Sequence, residues 1–259
     1  MRLTSSLLLA LAITVPLFAA TSTEVTIPVA GYLVLSNDLT YRTEAVITNH
    51  SDTAKTVMLE LINDGRADLY RVFTIDAHET MYLPTAGFPS ASPGLNGTIG
   101  ALRIRSDGAS GGIEAKAVIV AEHPISRGSS RQEVDAVPKE EYHANETYFI
   151  GVRHSAGTGA YTNVGITNLS ETETVTFFVQ FQFHTGLTSV TVPPMSMRQI
   201  RVTGPGNAGR WVHVWPEWSD PDGTPAHSTP WVAYASTVDT HTGDAYSGQR
   251  VPAHSKFRP

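Results

Sequence analysis

Two stretches of this chain are versions of one another. Arg42 to Leu61 reads RTEAVITNHSDTAKTVMLEL, and Tyr161 to Phe183 reads YTNVGITNLSETETVTFFVQFQF. Ile47-Thr48-Asn49 matches Ile166-Thr167-Asn168 at an offset of 119 residues, and Ser51 matches Ser170 at the same offset. Each copy reads as a strand stopped at Asn, a short polar turn and a second alternating strand. The Asn side chain tolerates left-handed backbone and hydrogen-bonds locally, which suits it to the stop. A hairpin repeated at a domain's length predicts one module made twice, and 259 residues hold two domains of ordinary size.

The rest of the chain keeps the same rhythm. Val25 to Val29 and Tyr32 to Leu35 open the first copy. Phe73-Thr74-Ile75 turns into Met81-Tyr82-Leu83, as Val190-Thr191-Val192 turns through Pro193-Pro194 into Gln199-Ile200. Ala101 to Arg105 corresponds to Trp211 to Trp215, and Glu114 to Val120 to Val232 to Val238. Both copies close on Val-Pro, at Val137-Pro138 and Val251-Pro252. About seven or eight short strands per copy, with frequent turns, predict an all-β fold of two tandem antiparallel β-sandwiches. The expected divisions are 1–22, 23–138 for the first sandwich, a charged linker at 139–147, 148–253 for the second, and a tail at 254–259. The blocks YTNVGITNLS and YASTVDTHTGDAYSGQRVPA resemble tandem immunoglobulin-like β-sandwich repeats of uncharacterised secreted bacterial proteins. The resemblance implies a surface or extracellular protein without a particular activity. The first copy lacks the Thr242-Gly243-Asp244 turn of the second.

At the N-terminus Arg2 precedes Leu7-Leu8-Leu9-Ala10-Leu11-Ala12-Ile13, and small residues follow at Ala19, Ala20 and Ser22. That is the pattern of a secretory signal peptide, since the apolar run is short for a membrane span. Export to the periplasm, cell surface or medium is the expectation, with no membrane insertion after cleavage. The chain has no cysteine, so each domain must be held by core burial alone. A formal net charge of −6 without a basic patch argues against nucleic-acid partners.

Candidate chemistry is sparse. Gly108-Ala109-Ser110-Gly111-Gly112 fits G-x-S-x-G, but that motif presents its serine on a strand-to-helix elbow, and here a strand pattern follows. A hairpin turn is the better reading. Asp220-Pro221-Asp222-Gly223 starts like a calcium loop without the distal glutamate. Asp239 and Asp244 also sit in turn contexts, and Asp is an ordinary turn residue. No cofactor, metal set or catalytic residue is expected. Asn49, Asn96, Asn145 and Asn168 head N-x-S/T sequons.

The four Trp residues all fall between 211 and 231. In Trp211-Val212-His213-Val214-Trp215 alternation puts Trp211, His213 and Trp215 on one face. The first copy has Ala101, Arg103 and Arg105 in that phase, and Arg is rarely buried unpaired, so the aromatic face should point outward. By the same transfer Tyr234, which corresponds to Lys116, should point outward too. Trp211, His213, Trp215 and Tyr234 are therefore the candidate ligand-binding residues, expected on one outer face of the second domain. Two uses compete: packing against the first domain, the 216–230 loop or a second copy, and a platform for a surface protein or glycan. The function expected is non-enzymatic adhesion, surface display or assembly, with carbohydrate or polymer binding as the alternative.

Overall fold

The computed structural model of the chain describes residues 22–34, 40–63, 66–84, 98–108, 112–122, 129–143, 145–153, 159–182, 186–202, 211–218, 229–239 and 245–251. Its strands fall into two sets of nine. The first set is β1 (Glu24–Val34), β2 (Thr40–Asn49), β3 (Lys55–Asn63), β4 (Arg66–Ile75), β5 (Thr80–Leu83), β6 (Thr98–Ser106), β7 (Ile113–Glu122), β8 (Ser129–Asp135) and β9 (Val137–Pro138). A single 3-10 turn, Lys139–Glu141, separates them from the second set. That set is β10 (Thr147–Ile150), β11 (Ala160–Asn168), β12 (Val175–Phe181), β13 (Thr188–Val192), β14 (Ser196–Val202), β15 (Trp211–Pro216), β16 (Trp231–Asp239), β17 (Ala245–Ser247) and β18 (Gln249–Val251). The described residues contain no α-helix.

Every ladder is antiparallel, and the pairing is repeated strand for strand. β1 pairs with β6 and β9, β2 with β5 and β7, β3 with β4 and β6, and β7 with β8. Likewise β10 pairs with β15 and β18, β11 with β14 and β16, β12 with β13 and β15, and β16 with β17. One ladder differs: β1 continues into β2 at Tyr32 and Arg42, which joins the two layers of the first half into one folded sheet. The second half keeps two separate sheets, β13-β12-β15-β10-β18 and β14-β11-β16-β17. The chain is thus all-β, two antiparallel sandwiches in tandem.

Alternation decides which side chains fill each core. Ile47, Val57, Leu59, Leu102, Ile104, Ala115 and Ala117 are buried in the first sandwich, as their phase predicts. Ile166, Phe177, Val179, Phe181, Val212, Val214, Ala233 and Ala235 are buried in the second.

The repeated Asn is a tie between layers. Asn49 sits at the end of β2, wholly buried, and its Nδ2 donates to the carbonyls of Thr53 at 2.8 Å, Ile75 at 3.2 Å and Asp76 at 3.0 Å. Asn168 at the end of β11 donates to Glu173 at 2.7 Å and to Val192 and Pro193 at 3.1 Å. In both copies Oδ1 accepts the N–H of the Ser two residues on, at 3.0 Å. Each Asn therefore pins the end of β4 or β13, in one layer, to a strand of the other. Its amide satisfies carbonyls that the chain reversal leaves without ladder partners. Burial of this kind leaves neither Asn accessible for glycosylation.

The two sandwiches meet through specific faces. Tyr234 and Met197, on the outside of β16 and β14, join the core cluster of the first sandwich. Leu169, Val232 and Met195 pack with Ile62, Ala101, Val137 and Tyr142. Gly165 makes room for this joint, because a Cβ there would lie 2.0 Å from Tyr234 Cε1. Gln132 on β8 donates to Ser247 Oγ at 2.7 Å and accepts from Ser236 Oγ at 3.0 Å. The segment expected as a charged linker is pinned as well. Tyr142 bonds Thr26 Oγ1 at 2.7 Å and Glu24 Oε1 at 3.0 Å, and buried His143 pairs its backbone with Trp231.

The signal segment, Ala109 to Gly111, Asn96, the Asp220 and Thr242 turns and the tail lie outside the described residues. Gly112 leads directly into strand β7, so the G-x-S-x-G match lacks its elbow helix.

Candidate functional site

Strand β15 alternates half-buried and buried residues along WVHVWP, which turns Val212 and Val214 inward and Trp211, His213 and Trp215 outward. Their neighbours in the sheet extend the row. Register places Tyr148 of β10 beside His213 on one side, and Gln180 and Phe178 of β12 beside His213 and Trp215 on the other. The rings form a ladder. Tyr148 stacks on His213 with centroids 4.0 Å apart and planes 6° from parallel. His213 stacks on Trp215 at 4.3 Å and 29°, and Phe178 lies 5.8 Å from Trp215. Trp211 meets Tyr148 edge-on at 6.4 Å.

Glu146 caps the ladder, with Oε2 2.7 Å from His213 Nε2. Burial between two rings lowers the pKa of His213 below its usual value, and this outweighs the raising effect of Glu146. The neutral imidazole donates Nε2–H to the carboxylate. Tyr148 is pushed up to about 12, first by burial and then by Glu146. Stacking and the Glu146 contact hold both rings within the ladder.

Tyr234 is not part of it. Strand phase predicts Tyr234 on the same face as Trp211 and Trp215, and the structure corrects this. Tyr234 does point away from its own core, but from β16 in the other sheet, where it is 7% exposed and faces the first sandwich. Its hydroxyl donates to Gln199 Oε1 at 2.7 Å, and burial raises its pKa. Periodicity gives the phase of a strand; sheet membership comes from pairing, and β15 pairs with β10 and β12, not with β16.

The first copy holds a second correction. Register equates Thr26, Arg103 and Glu60 with Tyr148, His213 and Gln180, and Ala101 and Arg105 with Trp211 and Trp215. Arg103 is expected outside because Arg is seldom buried. It does point away from the core, yet it is 7% exposed, and its Nε donates to Glu60 Oε2 at 2.6 Å. Arg105 holds the other Glu60 oxygen at 3.0 Å. A paired guanidinium can be covered, and here Tyr142 and the joint cover this face. Sequence reasoning misses Tyr148, Phe178 and Glu146. Phe178 alternates with buried Phe177 and Val179, and that phase is the available signal.

One concavity lies at the joint and another on the first sandwich alone. A cleft of about 370 Å³ between the sandwiches is lined by Val29, Leu33, Tyr41, Ile119, Tyr161 and Arg201, among others. Arg201 covers the Tyr161 ring at 3.5 Å. A groove of about 390 Å³ lies on the outer face of β2, β7 and β8, along Val46, Thr48, Lys116, Val118, Glu133 and Asp135. No group of three or more metal-ligating side chains occurs among the described residues, and no helix there is long and apolar enough to cross a membrane.

No family model matches the chain, and no curated protein is similar to it. Among solved structures it is similar to a point mutant of the major pilin from Streptococcus pyogenes, at 10% identity over 89% of this chain and 92% of that one. The TM-score is 0.25, too low for the likeness to support an argument about fold or function.

Proposed function

We propose that the chain is an exported, non-enzymatic β-sandwich protein of adhesion, surface display or assembly, working through the ladder of Tyr148, Trp211, His213, Trp215 and Phe178. In this reading residues 23–138 and 148–253 are its two units, and 139–147 joins them. One observation carries it. The second sandwich leaves half-exposed a row of aromatic rings on the face that the first sandwich keeps covered by Tyr142 and its sister. Rigid aromatic area loses little conformational entropy on contact, which suits a binding surface.

The stacking bears on the type of partner. Tyr148, His213 and Trp215 turn ring faces towards one another, so those faces are taken up within the ladder. Sugar stacking needs free faces, whereas a protein surface can interdigitate with edges and side-chain tips. A protein partner is therefore favoured over a glycan. The test compares the wild-type chain with Trp211→Ala and Trp215→Ala against arrayed glycans, envelope polymers and cell-surface protein. Lost binding with a nearly unchanged melting temperature is expected. Unchanged binding, or a large drop in melting temperature without any ligand found, would make the ladder structural. Glycan-only binding would select the carbohydrate alternative. Export is checked separately by fractionation and by N-terminal sequencing of the product, with cleavage expected near residues 19–22.

A further inference from the structure

The cleft between the sandwiches has two unlike walls. One is the end of the first sandwich's core, where Val29, Leu33, Ile99 and Ile119 present apolar side chains. Leu33, Ile99 and Ile119 are only half-buried there, so this end of the core is left partly open. The other wall is the outer face of β14, β11 and β16, where register sets Asn163 between Arg201 and Ser236, with Tyr161 two residues before it. Arg201 is the one charged side chain among the described residues that line the cleft, and no carboxylate is among them. Its guanidinium lies over the Tyr161 ring at 3.5 Å and meets no carboxylate among the described residues. We propose that this cleft binds a small anionic amphiphile, its apolar body against the first sandwich and its carboxylate on Arg201 and Asn163. The site is separate from the ladder, which belongs to the other sheet of the second sandwich.

The two copies of the module differ here in how charge is matched. The offset of 119 residues equates Tyr161 with Arg42 and Asn163 with Glu44. In the first copy the Arg42 guanidinium is held by Glu44 at 2.9 Å and by Glu122, and Glu44 also takes Arg131 at 3.1 Å. That surface neutralises itself. In the second copy an amide stands where the carboxylate was, and the guanidinium of Arg201 on the next strand is left without a counter-charge. A carboxylate is the group that a guanidinium holds best, through paired charge-assisted hydrogen bonds, and the Asn163 amide can donate to the same oxygens. Other polar groups of the wall are already committed: Tyr234 to Gln199, and Gln132 to Ser236 and Ser247. They leave the head-group position to Arg201 and Asn163. At about 370 Å³ the cleft is at the small end of ordinary ligand pockets, which are mostly apolar, carry few orienting polar groups and favour domain boundaries. In a chain of net charge −6 a lone cation beside apolar surface selects an anion locally rather than through the overall field.

The experiment is calorimetric titration of the purified full chain with decanoate, with decane-1,2-diol and decylammonium as neutral and cationic probes of the same length. Decanoate should bind one to one with a dissociation constant of about 10–100 µM, and about tenfold or more tighter than either control. Arg201→Gln removes the charge and should weaken decanoate about tenfold while changing the diol less than about threefold. Asn163→Asp returns a carboxylate to the place where the first copy carries Glu44, and should weaken decanoate to a similar degree. Ala245→Phe narrows the cleft from strand β17 and should reduce binding of both decanoate and the diol. These three positions are exposed or half-buried, so unfolding midpoints should stay near that of the wild type. Trp211→Ala should leave decanoate binding unchanged, which keeps the fate of this site apart from that of the ladder. No saturable binding of decanoate up to about 1 mM overturns the inference. Equal affinity for the three probes, or decanoate binding that Arg201→Gln leaves intact or Trp211→Ala abolishes, overturns it as well.

Discussion

Asn168 answers three carbonyls and one N–H from a position with no solvent access. Asn168→Ala leaves those groups unpaired and should cost roughly 2–4 kcal/mol, measured by denaturant unfolding. Asn168→Asp should be at least as harmful at pH 7, because an anion would face the same carbonyl oxygens, and part of the loss should return at low pH as the acid protonates. Equal stability of Asn168→Asp and wild type would refute the tie. His143 gives a second residue-scale expectation. It is buried against Trp231 at 4.6 Å, and burial, aided by the positive charge of Arg250, lowers its pKa from 6.5 to about 3. The unfolded chain therefore takes up a proton below pH 6.5 that the folded chain refuses. Stability held above pH 6.5 is lost as pH falls towards 3, at a slope of about 1.4 kcal/mol per pH unit from this group. His143→Phe keeps a ring and removes the proton, so its pH-stability curve should be flatter by that slope between pH 6 and 4. A curve parallel to wild type would place the cause elsewhere.

At the scale of the element, β11 and β16 show how one missing side chain positions another. The Tyr234 ring lies over Gly165, its Cδ1 2.7 Å from where a Cβ would stand. Gly165→Ala must displace that ring and, with it, the contact to the first sandwich, at about 1–3 kcal/mol. In a Tyr234→Ala background most of this cost should vanish. A double-mutant cycle with no coupling between the two positions would contradict the overlap. Strand phase is legible in the sequence here: Ile166 with Val164 and Ala233 with Ala235 alternate inward as their spacing requires. Ladder membership is not. Trp215 and Tyr234 both face away from one core, yet a core has two outsides, and only pairing assigns a strand to one of them. For the same reason Tyr148 and Phe178 join Trp211, His213 and Trp215 across strands far apart in the chain.

Over the whole molecule, Tyr234 and Met197 in one cluster, and Leu169 and Val232 packed with Ile62 and Ala101 in another, make the joint part of both sandwiches. Heat unfolding should therefore be one calorimetric transition, with Tyr234→Ala splitting or broadening it; two separate wild-type transitions would mean independent units. The second sandwich expressed alone would expose Leu169, Met195, Val232 and Tyr234 and should be markedly less soluble than the full chain. Sequence by itself determined the module and its duplication. The hairpin repeat, the paired Asn residues and the inward phases are local or periodic properties, and a strand of period two has its buried face fixed by its own residues. Even the turn after Asn168, one residue longer than that after Asn49, follows from matching Val57 to Phe177, and the amide bonds to Thr53 and Glu173 agree with it. Tertiary structure decided what lies on the outside. Whether Arg103 is solvated or covered, whether Tyr234 meets solvent or a neighbour, and which rings assemble into a ladder depend on the other sheet, the linker and the sister sandwich. Those long-range contacts leave no period in the chain to read.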